Sequence, residues 1–339
     1  MQPRRRGGAE NLRGEEVSKG ENEKVVRGTG DSLPCSNHLA RPCESRYKRG
    51  MARVTTKRNL LLDVAAISLV VCRRHLARYS CPKSKHDFTQ AQLMSCLVLR
   101  AYLKQSYRGI IDVLDASDAL RDALGLSAKV PAHTTLKEFE KRVVTPELLD
   151  GIVAQVLTLC REQRGTAVHE VAVDSTGVEC SPASAHYADR SGRRRGRYVK
   201  LSLAVACTSL LLVGAVASAG PSNDRVEASA LLWRAASRCS PHSVYMDSGY
   251  DGERTHAFCR AGWGAASFIP PVPKTRDGSV KSRYRSRCVV LPSSYGKRWH
   301  AESFISGFKR STGSTLAART MGAMMNEAML KLLAYAIRR

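Results

Sequence analysis

VAVDSTG, residues 171–177, is the point at which the period of this sequence changes. From about Lys57 up to this stretch the apolar residues recur with helical spacing; beyond His169 short β-branched runs take over. Val171-Ala172-Val173 is apolar enough for a buried central strand, and it stops on an acid, Asp174. Two longer runs, 198–207 and 210–219, joined by Thr208-Ser209, read with the first strand as an antiparallel meander. Residues 243–246 form another short strand that ends on an acid, Asp247, and 266–269 a further one. Helices are expected at 225–239, 253–261, 295–310 and 316–338, with Gly313 closing the third. The order is three strands, then helix, strand, helix, strand and helices, which predicts an α/β domain with a mixed sheet over residues 166–339.

The third of these helices reads YGKRWHAESFISGFKR, residues 295–310. As one α-helix it places Tyr295, Arg298 and Lys309 at −7, −4 and +7 from Glu302. At about 100° per residue all four share a face. Ala301, Ile305 and Phe308 occupy an adjacent apolar face that can enter a core. Trp299 lies off the polar stripe and reads as a packing residue.

Residues 57–160 carry several short helices with Lys and Arg on their outer faces. Expected helices are 60–78, 90–103 after a cap at Asp87-Phe88-Thr89, 120–126, 135–143, and one capped by Thr145-Pro146-Glu147 running to Arg161. A helical DNA-reading domain over 51–165 and a plain packing domain both fit that pattern. Residues 1–50 have no apolar period and are expected to be a disordered basic tail, dispensable if organised sequence begins at Met51.

The 339 residues carry 54 Lys and Arg against 30 Asp and Glu, a net charge of +24. The surplus recurs in the tail, at Arg193–Arg197, over 274–287 and in the last helices. A polyanionic partner is the natural inference. Eleven cysteines lie at irregular intervals without a C-x-x-C pair, which argues for reduced thiols in a cytosolic protein. Cys35, His38 and Cys43 resemble half a metal site without a second half. The apolar run 201–219, with Thr208-Ser209 in its middle, fits a buried hairpin better than a membrane span.

Asp174, Asp247 and Glu302 are far apart in sequence, so only a fold can gather them. Aspartates at the ends of neighbouring strands would point into one crevice at the sheet edge, where a helix could add the glutamate. Such carboxylates repel one another unless cations are present. Hard oxygen donors favour Mg²⁺ or Mn²⁺, and a pair of ions would suit phosphodiester chemistry. Asp251, four residues beyond Asp247, competes with it for the second position. Asp224, Glu227 and Glu253 fit helix-start acids and carry no chemistry in this reading.

The spacing Tyr295-x2-Arg298-x3-Glu302-x6-Lys309 resembles the signature of the insertion-sequence transposases of the DDE type. VAVDSTG with Asp174, and Tyr245-Met-Asp247-Ser-Gly249-Tyr250, resemble the settings of that family's first two acids. Residues 88–114 and 130–143 are similar to its helical end-binding domain. The resemblance implies an RNase H-like fold preceded by an all-α domain. Asp174, Asp247 and Glu302 would hold metal ions, and Tyr295, Arg298 and Lys309 would contact phosphates or a displaced base. It further implies cleavage at transposon ends, strand transfer into target DNA, a homodimer in the synaptic complex and a cytoplasmic, nucleoid-associated protein. The interval between Asp247 and Glu302 leaves little room for the β-rich insertion of some members. A nuclease without strand transfer and a non-catalytic DNA-binding regulator are the alternatives.

Overall fold

In the computed structural model the described residues are 59–339, apart from 82, 84, 128, 180–197, 274–277 and 281. The basic tail, the Cys35–His38 segment and the Arg193–Arg197 run lie outside them. Strand β1 is Glu170–Glu179, β2 Tyr198–Ala206, β3 Leu212–Gly220, β4 Ser243–Met246 and β5 Ala266–Phe268. The sheet order is β3-β2-β1-β4-β5. β1, β2 and β3 are antiparallel neighbours, whereas β4 runs parallel to β1 and β5 parallel to β4. This is a mixed sheet of the RNase H-like kind, preceded in the chain by helices.

β1 does not stop at Asp174 as the sequence predicts but runs five residues further, to Glu179. The reason is one-sided pairing. β2 accompanies it along its whole length, from Val171↔Ala206 to Glu179↔Tyr198, while β4 pairs only with 170–173. Past Val173 one edge of β1 is therefore open, and polar residues can occupy it without losing the strand.

The period of two in β2 sorts the two layers. Val199, Leu201, Leu203 and Val205 enter one core, and Ala204 and Ala206 the other. The first core is shared with helices α1 Leu60–His75, α2 Gln90–Tyr102, α3 Tyr107–Asp115, α4 Asp118–Ala123, α5 His133–Val143 and α6 Pro146–Arg164. α7, Asp224–Ala236, covers the opposite face through Ala228, Leu231, Leu232 and Ala235. α8, Glu253–Ala257, follows β4, and the chain continues as a π-helical turn, Phe258–Gly262, where the sequence predicts α-helix to 261. α9, Trp299–Thr312, and α10, Met321–Arg338, return to the first face. The described residues make up one compact unit.

Local chemistry explains most of these boundaries. Thr89 caps α2 in a reciprocal capping box with Gln92. α2 is buried almost all round, with Met94, Cys96, Leu97, Val98 and Leu99 fully enclosed, so it is the central rod of the helical layer. α5 starts at His133 without a side-chain cap, not at the expected Thr135. α10 begins at Met321, capped by Thr320, not at Leu316, because the Leu316 N–H is donated to the Glu179 carbonyl and extends the edge of β1. Burial pushes the Cys72 and Cys96 thiols up to about 12, so both act as small apolar residues. Among the described residues no single helix is long and apolar enough to cross a membrane, and the α5–α6 pair is bent by 97°.

Candidate active site

The last paired residues of β1 and β4 are Val173 and Met246. Parallel register makes the residues that follow neighbours, and these are Asp174 and Asp247. Each is fixed locally in the same way: the Ser175 N–H donates to Asp174 Oδ1 at 2.8 Å, and the Ser248 N–H to Asp247 Oδ1 at 2.6 Å. β4 ends here, and Ser248–Tyr250 turns away as a 3₁₀ helix.

The third acid arrives on a helix that differs from the one expected. Ser293–Arg298 is 3₁₀, and α-geometry begins only at Trp299. The polar stripe survives for another reason. In a 3₁₀ helix residues i and i+3 eclipse, which aligns Tyr295 with Arg298, and the i+4 step of α9 aligns Arg298 with Glu302. Two anchors hold the 3₁₀ segment to the sheet. The Tyr295 hydroxyl donates to the Met246 carbonyl at 3.1 Å, and Lys297 Nζ donates to both Glu170 carboxylate oxygens at 2.7 Å. Ala301, Phe304, Ile305 and Phe308 enter the core as the apolar face of α9. Trp299 does not pack inward: it is 55% exposed and stacks on His300. Within α9 it lies about 200° round the axis from Ala301, opposite the apolar face.

Arg298 joins the acids. One guanidinium nitrogen lies 3.6 Å from Asp174 Oδ2 and the other is bonded to Glu302 Oε1. Burial raises the Asp174 pKa above its ordinary value; Ser175 and Arg298 oppose that shift, and the charges of Asp247 and Glu302 add to it. A raised carboxylate pKa stabilises the fold fully below the unfolded-state value of 3.8, and this contribution is lost as pH rises through the folded-state value. Charging Asp174 is thus a net cost to the fold. Asp174→Asn is expected to raise the urea midpoint at pH 7, with the gap from the wild type closing as pH falls toward 4; a lower midpoint at pH 7 would contradict this origin of the shift.

Lys309 does not join the cluster. α9 runs along β1 from the level of Asp174 toward Glu179, and Lys309, about 10 Å up the helix from Glu302, is half-buried near Glu179. Burial lowers its pKa, and Glu179 partly offsets this. A model of the transposase DDE domain family matches residues 169–337. Through these residues the chain belongs to the DDE transposase family. The match takes in all five strands and α7 to α10. No curated protein matches the chain.

In this DDE transposase domain Asp251 is committed elsewhere. It is buried and accepts two guanidinium N–H bonds from Arg285, at 2.8 and 2.7 Å, and the Val272 N–H at 2.8 Å. Those bonds tie it to Val272 and Arg285, and leave Asp247 as the acid beside Asp174. Asp224 is closer to the site than the sequence suggests. Its Oδ1 accepts from Ser175 Oγ at 2.6 Å and lies 3.0 Å from the buried Lys200 ammonium. A Cβ on Gly249 would lie 2.5 Å from Asp224 Oδ2, so any side chain there would have to displace the Asp224 carboxylate. Lys200 also pairs with Glu227 at 3.0 Å, while Ser218 and Ser222 donate to the other oxygen of that carboxylate. Sheet register creates this network, and no spacing in the sequence marks it.

The donor set suits a hard divalent cation: oxygen only, anionic, and short of positive charge. Among the described residues no three acids or imidazoles are close enough together to enclose an ion. The positive charge between Asp174 and Glu302 is that of Arg298.

Proposed function

We propose that this protein is a transposase that cuts phosphodiester bonds at the ends of its own element and joins the freed 3′-hydroxyl to target DNA. The observation that supports the reading is the β1–β4 register, which sets Asp247 beside Asp174, together with Arg298, which pairs with Asp174 and with Glu302. Membership of the DDE family and the net charge of +24 support it. Divalent cations, Mg²⁺ or Mn²⁺ and as a pair, would be held by Asp174, Asp247 and Glu302 and would polarise the attacking water or hydroxyl and stabilise the leaving oxygen.

The chain's own groups supply alignment. The Ser175 and Ser248 N–H groups orient the two aspartates before substrate arrives. Arg298, once drawn to DNA, offers a planar fork to a phosphate, and Lys309 extends the contact along the strand. Tyr295 spends its hydroxyl on the Met246 carbonyl, so its proposed part is to present the ring edge and to hold Arg298 in place. The helices of 59–165 are the proposed end-binding part. Synapsis of two ends calls for a homodimer on DNA, in a cytoplasmic protein associated with the nucleoid.

Labelled element ends incubated with plasmid and Mg²⁺ test the reading. Joined products are expected; cut ends without joined products would reduce the protein to a nuclease of the same fold. Lys309→Ala is expected to weaken binding of end duplexes by a few-fold and to flatten the salt dependence by about one unit of slope. An unchanged slope in a binding titration from low to high salt would remove Lys309 from the DNA path.

A further inference from the structure

The pairing of Arg298 with two acids points to a role beyond phosphate contact. We infer that the Arg298 guanidinium is the resident counter-ion of the DDE acids, and that it leaves them for a DNA phosphate when divalent cations bind. Metal and DNA would then bind with positive coupling. The inference rests on the proposed metal-binding role of the three acids.

Four observations support it. Arg298 is the described cation that pairs with Asp174 and with Glu302, so one side chain occupies the electrostatic position of an ion. Its backbone cannot drift, because Tyr295 and Lys297 on the same 3₁₀ segment are tied to Met246 and Glu170. The side chain itself is long, a quarter exposed, and beside a half-exposed Glu302, so it can rotate outward without disturbing the core. Among the described residues, three lysines of these elements are committed elsewhere: Lys297 is spent on Glu170, Lys200 on Asp224 and Glu227, and Lys309 lies near Glu179.

The physical consequence follows from competition for the same charge. In the free protein a divalent ion must displace the guanidinium from two carboxylates, and the displaced cation then has only water. With DNA present the guanidinium exchanges two carboxylate contacts for a bidentate phosphate contact, and the displacement costs little. Each ligand thereby improves the site for the other, and linkage requires the effect to be reciprocal. Free enzyme is kept from loading metal without substrate, which limits cleavage away from element ends.

The test measures Mn²⁺ binding directly, by the loss of its free-ion paramagnetic resonance signal, on the full chain with and without a short mixed-sequence DNA duplex. For the wild type, duplex is expected to tighten Mn²⁺ binding by about tenfold. Arg298→Gln is expected to bind Mn²⁺ about tenfold more tightly than wild type when free, and to gain nothing from DNA. Arg298→Lys, which keeps the charge without the fork, should fall between. Weaker or unchanged Mn²⁺ binding by free Arg298→Gln, or a wild-type affinity indifferent to DNA, overturns the inference. Asp174→Asn and Glu302→Gln separate the two levels of argument. If both retain wild-type Mn²⁺ binding, the metal reading itself fails and this inference with it. If both lose binding while Arg298→Gln matches wild type, only the counter-ion role is lost.

Discussion

Glu302→Gln is expected to retain binding to element ends while cleavage falls by at least about a thousandfold. The substitution keeps the size of the side chain and its place on α9, whose apolar face of Ala301, Phe304, Ile305 and Phe308 fixes the helix independently. Stability should change little, because Glu302 is half-exposed and its bond to Arg298 is an i,i+4 pair at the surface. What disappears is one of the three anionic donors at the sheet edge, together with half of the Arg298 restraint. A gel-shift titration and a cleavage assay on the same preparation give the answer. Equal losses in both would point to misfolding or to a DNA-contact role, and intact cleavage would remove Glu302 from the reacting centre. Asp174→Asn and Asp247→Asn should behave like Glu302→Gln, since their register makes them partners in one arrangement.

The parts of the fold legible in the sequence are those where burial leaves a periodic trace. The 198–220 hairpin shows its alternation, and the capping box at Thr89 and Gln92 announces α2. Asp247 at the end of β4 is readable because the apolar run Val244-Tyr245-Met246 stops on it. The extension of β1 past Asp174 is not readable, since it depends on a partner strand on one side only. The 3₁₀ start before Trp299 is equally silent: the i+3 and i+4 repeats share enough positions that one α-helix satisfies both. The choice between Asp247 and Asp251 is open in the sequence for a related reason. Burial of a charge shows only when its partner is known, and Arg285 lies 34 residues away in a stretch that reads as loop. The sequence does not mark Asp224 and Lys200, because an acid at a helix start has a sufficient local explanation, which hides a second role.

That hidden Arg285–Asp251 pair supports the second large effect. Asp251→Ala, or Arg285→Ala, is expected to cost about 3–5 kcal/mol of unfolding free energy, because either leaves a buried charge without its partner. Both residues are almost completely enclosed. Arg285 also donates to the Val272 carbonyl, and Glu253 accepts the Tyr284 and Arg285 backbone N–H groups, so the pair ties β4's exit, the residues after β5 and the turn at Tyr284-Arg285 into one knot. Burial alone would raise the Asp251 pKa, yet the bonds from Arg285 and Val272 outweigh it and hold it below its ordinary value. A depressed carboxylate pKa stabilises the fold above the unfolded-state value of 3.8 and is lost as pH falls through the folded-state value. Wild type should therefore lose stability in that acid range, and Asp251→Ala should lose less there. Replacing both residues by apolar ones of similar volume should recover much of the loss, since no charge is then left buried. Urea unfolding of the two single variants and the double variant measures the coupling. Additive losses in the double variant would mean that the two groups act separately and that the knot is not what holds the segment leading to Tyr295 and Arg298.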